Sequence, residues 1–159
     1  MIVVGGTYSE ICIEPIWENI FGSGFRAVDL ILQNDNVEEV EFYTCADEMD
    51  TKPHLNYYAK LYPRLKINLT IIPKSPEFHY DYPLKIPVIL PRPDILVQNM
   101  ANLNIEGSNI LAFGMIEAFI KVNGDRVVYD PQSPVNPLLF SSTGSSANRL
   151  ITIVNFDEA

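Results

Sequence analysis

The chain is short of cations. Across its 159 residues, 11 Lys plus Arg stand against 20 Asp plus Glu, for a formal net charge of −9. That balance excludes a broad phosphate-backbone footprint, because nucleic-acid binders gain affinity by neutralising phosphates with Lys and Arg. Cysteine is scarce as well. Cys12 and Cys45 lie far apart and have no Cys or His partner at metal-ligand spacing, which excludes a disulfide framework and a Cys/His zinc site and leaves two buried free thiols. No window approaches the roughly 18 to 20 consecutive apolar residues of a membrane span. Met1 runs directly into Ile2-Val3-Val4 without a basic leader, so a soluble cytoplasmic protein with neither membrane nor nucleic-acid partner is expected. Neither an internal repeat nor a low-complexity linker is legible, so the chain reads as one domain or part of one. What is present is a 47% apolar composition, enough to fill a core.

Short β-type runs alternate with helical ones. Ile2-Val3-Val4 reads as a buried strand ending at Gly5-Gly6, and Ser23 to about Asn34 reads as a helix with Phe25, Val28 and Leu32 on one face. Val40 to Thr44 alternates as a strand. Asp50-Thr51-Lys52-Pro53 supplies a cap and an early proline for a helix carrying Leu55, Tyr58, Ala59 and Tyr62, which Pro63 ends. With a further strand at Ile67 to Ile72 the order is β-α-β-α-β, the signature of a sheet covered by helices. Six prolines between Pro73 and Pro93 forbid a long helix there and leave two short strands, about Glu77 to Tyr82 and Ile86 to Leu90, as an edge or a flap. Ile95 to Asn104 reads as a weak helix, Asn109 to Phe113 as a buried strand, and Phe119 to Tyr129 as a hairpin turning on Asn123-Gly124. A short helix capped by Ser142 or Thr143 is expected to run through Asn148, and a last strand to cover Leu150 to Val154.

Five places could carry chemistry. Val3 to Glu10 is a strand leading through glycines to a carboxylate; a structural turn with a solvated Glu would look the same. Phe21-Gly22-Ser23-Gly24-Phe25-Arg26 is a glycine turn feeding a helix, whose N-terminal amides favour anionic or polar atoms and whose first turn carries a guanidinium. A plain helix start competes with that reading. Glu77-Phe78-His79-Tyr80-Asp81-Tyr82 is either a strand packed on its rings or a lid covering a small polar ligand such as a sugar. Asp130-Pro131 ends a strand where open α/β sheets bind ligands, and a ligand-free Asp-Pro turn is its competitor. Asn155-Phe156-Asp157-Glu158 follows the last strand as an acidic segment.

Taken in this order, the five elements resemble the N-terminal half of a ribokinase-like carbohydrate kinase of the PfkB type. Glu10 stands where that family has an Asp holding sugar hydroxyls, and Gly22-Ser23-Gly24 resembles its Gly-Gly-x-Gly substrate turn, with Arg26 in place of Asn. The segment from about 76 to 91 resembles the small β lid, Asp130-Pro131 the Asp-Pro strand end, and Asn155-x-x-Glu158 the Asn-x-x-Glu motif that organises magnesium, water and phosphate. The resemblance implies an α/β fold: a Rossmann-type sheet with flanking helices and a small β lid, here the substrate-side part, residues 1–159, of an incomplete kinase domain. It implies phosphorylation of a sugar or nucleoside hydroxyl by the full-length parent. Substrate contacts would come from Glu10, Gly22, Gly24, Arg26, His79 and Asp130, with Asn155 and Glu158 near phosphate and magnesium and no direct metal ligand.

The family's Gly-x-Gly-Asp segment, which supplies the catalytic base and an anion hole, is absent from these residues. No catalytic residue is therefore assigned in this chain, the base being expected beyond Ala159. ATP and Mg2+ are implied for the parent, and neither is expected to bind strongly to this chain alone. Arg26 for Asn would favour an anionic or unusual acceptor, and Pro134 stands where fructokinase-like members carry Arg. The competing function is a non-catalytic binding or interaction module that keeps the half-fold. An uncovered lid strand or sheet edge leaves room for a homodimer.

Overall fold

The computed structural model describes residues 1–132 and 137–154. In chain order it contains β1 (Ile2–Val4), β2 (Tyr8–Cys12), β3 (Trp17–Phe21), α1 (Ser23–Leu32), β4 (Val40–Ala46), α2 (Thr51–Leu61) and β5 (Leu65–Ile71). There follow β6 (Glu77–Tyr80), β7 (Val88–Leu90), α3 (Pro93–Gln98), β8 (Ala101–Phe113), β9 (Ala118–Asp130), a 3-10 turn (Phe140–Thr143) and β10 (Ser146–Thr152). Six strands make one sheet in the order β10-β9-β8-β1-β4-β5, and four make a second in the order β3-β2-β6-β7. Every pairing in the larger sheet is parallel. The expected α/β class, with helices on the sheet and a separate small β lid, is what the chain adopts. Among the described residues no helix is long and apolar enough to cross a membrane.

The first half follows its sequence pattern. β1 is buried on both sides: Val3 joins Phe25, Val28, Leu32, Phe42 and Leu55 beneath α1 and α2, while Val4 joins Cys45, Ile110 and Ala112 on the opposite face. Phe25, Val28 and Leu32 form the buried stripe of α1, as their spacing predicts. At α2 the capping differs from expectation. Asp50 holds the N-cap position without a side-chain capping bond; instead Asp47 Oδ1 accepts the N–H groups of Met49 and Asp50 at 3.0 and 2.7 Å.

The second half departs from expectation at several points. β8 and β9 pair in parallel from Ala101↔Ala118 to Phe113↔Asp130, so each partner lies 17 positions ahead. A straight 13-residue strand spans about 40 Å, and the four residues between these two reach about 19 Å at most. The strands must therefore bend. The bend shows in the burial pattern, which puts Leu103 and Ile105 inside at odd positions and Ile110 and Ala112 inside at even ones. In β9 the phase flips likewise, from Ile120 and Val122 to Val127. Ser108 and Asp125 are the pair missing from an otherwise continuous ladder, which marks the corner. Both arms enclose one core, and β10 adds a third parallel run beside β9.

This geometry corrects three expectations. Asn123-Gly124 sits inside β9 at the corner, paired with Glu106-Gly107, and no hairpin forms there. The expected helix over Ile95 to Asn104 stops at Gln98, because Ala101 already begins β8. The expected helix through Asn148 shrinks to the 3-10 turn, and Ser146 to Asn148 are strand. There is also an internal repeat of small, apolar and glycine positions, matching Ala101, Leu103, Ile105, Gly107 and Ile110 with Ala118, Ile120, Val122, Gly124 and Val127. Only inward positions repeat, which is why it escapes a reading by strand or helix period.

Two glycines join β1 to α1. A Cβ on Gly24 would stand 2.6 Å from the Gly5 carbonyl carbon and 2.7 Å from its oxygen, backbone against backbone. Gly24→Ala should therefore cost about 2–3 kcal/mol in urea unfolding, since neither element can yield without moving the sheet or the helix.

Candidate functional site

In a parallel sheet all strands end on one edge, and here that edge collects Gly5-Gly6 after β1, Asp47 after β4, Gly114 to Glu117 after β8 and Asp130 at the end of β9. Such edges are where open α/β sheets bind ligands. The chain leaves β1 at Gly6, crosses Thr7, whose hydroxyl is 3.0 Å from that of Thr44, and enters the lid sheet at Tyr8. The lid is larger than the segment 76 to 91: β2 and β3, which sequence periodicity does not reveal, form half of it.

Glu10 lies on β2 and is buried. Its Oε1 accepts the Gly22 N–H at 3.1 Å, and its Oε2 pairs with Arg26 Nη2 at 2.6 Å. Gly22 is the N-cap of α1 at φ 95°, a conformation that suits glycine, and a Cβ there would collide with the Gly6 carbonyl. Gly22 brings no capping side chain and no acidic residue sits in the first turn of α1; the Ser23 N–H donates instead to the Tyr8 hydroxyl at 3.5 Å and the Phe25 N–H to the Gly6 carbonyl at 3.4 Å. The dipole of α1 places partial positive charge at this end, beside Arg26. The guanidinium lies 3.9 Å over the Phe21 ring and is half exposed.

Strand alternation puts Tyr8, Glu10, Trp17, Phe21, Phe78 and Tyr80 on one face of the lid. Tyr8 stacks on Phe78 with centroids 4.4 Å apart, and Trp17 lies 6.4 Å from Tyr80. His79 points to the other face, where its Nε2 is 3.2 Å from Glu77 Oε2. Asp130 ends β9 on the same edge as Gly5 but two strands away, and its Oδ1 accepts the Gln132 N–H in a turn. The structure thus brings Glu10, Gly22, Gly24 and Arg26 together and sets His79 and Asp130 apart from them. Asn155, Glu158 and Pro134 lie outside the described residues. Among the described residues no group of three His, Cys, Asp or Glu could hold a metal ion.

Two acidic residues escaped the sequence reading. Glu117 closes the four-residue link between β8 and β9 and is 2% exposed, with neither carboxyl oxygen hydrogen-bonded to a described residue. It lies under Gly6 and against the ring of Tyr8: a Cβ on Gly6 would stand 3.2 Å from Oε1 and collide with that ring. Burial raises its pKa to about 7, and the backbone N–H groups of Glu117 and Ile116 oppose part of that rise without reaching hydrogen-bond geometry. Burial, then the charge of Glu117, raises the Tyr8 phenol and pushes the Cys45 thiol up to about 12. The Ser23 hydroxyl near the Tyr8 oxygen is likewise buried without a hydrogen bond to a described residue. The available signal was a single charge inside the apolar run from Phe113 to Ile120.

Asp47 is the second. Burial would raise its pKa, but the Asp50 N–H, the Ser75 hydroxyl and the N–H groups of Ser75 and Met49 overcome this and hold it at about 2. It ties the end of β4 to the crossover into the lid through Ser75. A polar cleft of about 520 Å³ lies there, lined in part by Ser9, Asn19, Asp47, Thr51, Lys74 and Glu77.

Two measurements check these assignments. The Asp47 carboxyl is depressed in the fold, so its stabilisation is present above pH 4 and lost as pH falls toward 2. Asp47→Asn should lower stability at pH 6 by about 2 kcal/mol and remove that limb of the pH profile. In a double-mutant cycle of Glu10→Gln and Arg26→Met, urea unfolding should show a coupling of about 1 kcal/mol, modest because solvent screens the half-exposed guanidinium.

No protein-family model matches the chain, and no curated protein does. Among solved structures, the chain is similar to a microbiome-derived acarbose kinase at 7% identity and a TM-score of 0.48, over 96% of this chain and 68% of that one. It is also similar to a pyrophosphate-dependent kinase in the ribokinase family, complexed with a pyrophosphate analog and myo-inositol, at 11% identity and a TM-score of 0.45, over 98% of this chain and 72% of that one. A third likeness is to ribokinase from Thermotoga maritima, at 12% identity and a TM-score of 0.43, over 96% of this chain and 71% of that one.

Proposed function

We propose that this chain forms the acceptor side of an ATP-dependent kinase that phosphorylates a hydroxyl of a neutral polyol, a sugar or a nucleoside. The observation that carries the reading is a pair of buried acidic side chains, Glu10 of the lid and Glu117 at the carboxyl edge of the parallel sheet, both acting on Tyr8. Hydroxyl groups suit such a place. Each O–H donates to a carboxyl oxygen, while its own oxygen accepts from the Arg26 guanidinium.

The pairing of Arg26 with Glu10 supports a neutral acceptor over an anionic one, because the guanidinium charge is already matched. Tyr80 and Trp17 on the same face of the lid offer rings to the C–H side of a sugar, and closing them over it excludes water. The resemblance of Asp130-Pro131, Gly22-Ser23-Gly24 and the lid to PfkB-type kinases supports phosphoryl transfer as the chemistry. ATP with Mg2+ would supply the transferable phosphoryl group and neutralise its charge. The residues that the resemblance assigns to magnesium, Asn155 and Glu158, lie outside the described residues, so what is derived from this chain is binding and orientation of the acceptor.

Calorimetric titration of the chain with ribose, fructose, myo-inositol and adenosine tests the reading, with a sugar phosphate as the anionic comparison. At least one neutral polyol should bind more tightly than the phosphate, and Glu10→Ala should weaken it by 10-fold or more, the loss of about 1.4 kcal/mol expected of a hydrogen bond to a charged group. Binding of the sugar phosphate alone, or no change on Glu10→Ala, would defeat it.

A further inference from the structure

Glu117 sits where the lid meets the parallel sheet. Its neighbour Ile116 packs with Phe78 of β6, Ile89 of β7 and Leu96 of α3, and with the ring of Tyr8. The seat of the lid is thus an apolar cluster laid directly against an unpartnered carboxyl group. The titratable groups facing that carboxyl are Tyr8 from β2 and Cys45 from β4, both neutral, with Glu10 behind Tyr8. From α1 comes the Ser23 hydroxyl beside Tyr8, and Arg26, the nearest cation of that helix, is held by Glu10. An anion at Glu117 would therefore lie in a buried apolar seat with no countercharge among the described residues, which is costly unless water reaches it.

We propose that the proton on Glu117 is the latch of the lid: while the carboxyl is neutral the four-stranded sheet stays seated, and its ionisation lifts the lid and uncovers the acceptor site. The gating role rests on the reading of that site as an acceptor site; the movement itself requires no ligand. In the lifted state Glu117 is hydrated and titrates as an ordinary carboxyl, near 4.5, whereas in the seated state burial holds its pKa at about 7. The seated state binds the proton more tightly, so opening is favoured as pH rises, by about 30-fold between pH 5.5 and 8.

Trp17 is the single tryptophan of the chain and belongs to β3 of the lid, so its emission reports the lid directly. The experiment follows Trp17 emission from pH 5.5 to 8, together with hydrogen exchange of residues 8–12, 77–80 and 88–90, corrected for intrinsic chemistry and set against β4. In the native chain lid opening should rise about 30-fold while β4 stays protected, and Glu117→Gln should hold the lid closed at every pH. Glu117→Leu serves if the glutamine variant fails to fold, and the comparison of lid with β4 in the native chain stands without either. A lid whose opening does not change with pH, an identical change in Glu117→Gln, or exchange of β4 in step with the lid would overturn the latch. A lid transition in a chain that binds no polyol would retain the latch and remove the acceptor reading; polyol binding with a pH-independent lid would do the reverse.

Discussion

Four residues cannot carry a chain back along a straight strand of thirteen, and that limit of reach organises the second half of this protein. β8 and β9 can pair in parallel across so short a link because each bends. The bend turns a flat edge of sheet into a coil whose two arms enclose Leu103, Ile105, Ile120, Val122 and Val127. The other side of the sheet is closed in the ordinary way by α1 and α2. The link that completes the coil is Gly114 to Glu117, so the constraint that builds the core also places a carboxylate under Gly6, at the edge where the lid is rooted.

The two buried glutamates show how environment separates like residues. Glu10 is matched by a guanidinium and a backbone N–H, so it ties the lid to the first turn of α1. Glu117, hydrogen-bonded to no described residue, is held by packing and carries its proton into the neutral range. Tyr8 lies against one and senses the other, stacked on Phe78 and beside the Ser23 amide. Asp47 is a third case: its buried carboxylate is satisfied by amides and acts as a clasp between β4, α2 and the lid.

Much of the first half was legible in the residues. The stripe of Phe25, Val28 and Leu32, the doubly buried Ile2-Val3-Val4 and the glycines around Ser23 each express a local rule of periodicity or backbone freedom. Asn123-Gly124 failed as a hairpin signal because local turn preference lost to the register with Glu106-Gly107. β2 and β3 were missed because a lid exposes much of its surface, so apolar and polar residues alternate weakly in Tyr8 to Cys12 and Trp17 to Phe21.

By itself, then, the sequence determined the class of fold and the α1 face, because these depend on periodicity within a few turns, and its resemblance to PfkB-type kinases suggested the grouping of Glu10 with the helix start. The tertiary structure decided that Gly24 packs on Gly5, that Arg26 is spent on Glu10, that His79 turns away to Glu77, and that Glu117 stands buried and unpaired among the described residues. Those outcomes depend on which strands lie side by side and on what water can reach, and neither is written in the spacing of residues along the chain.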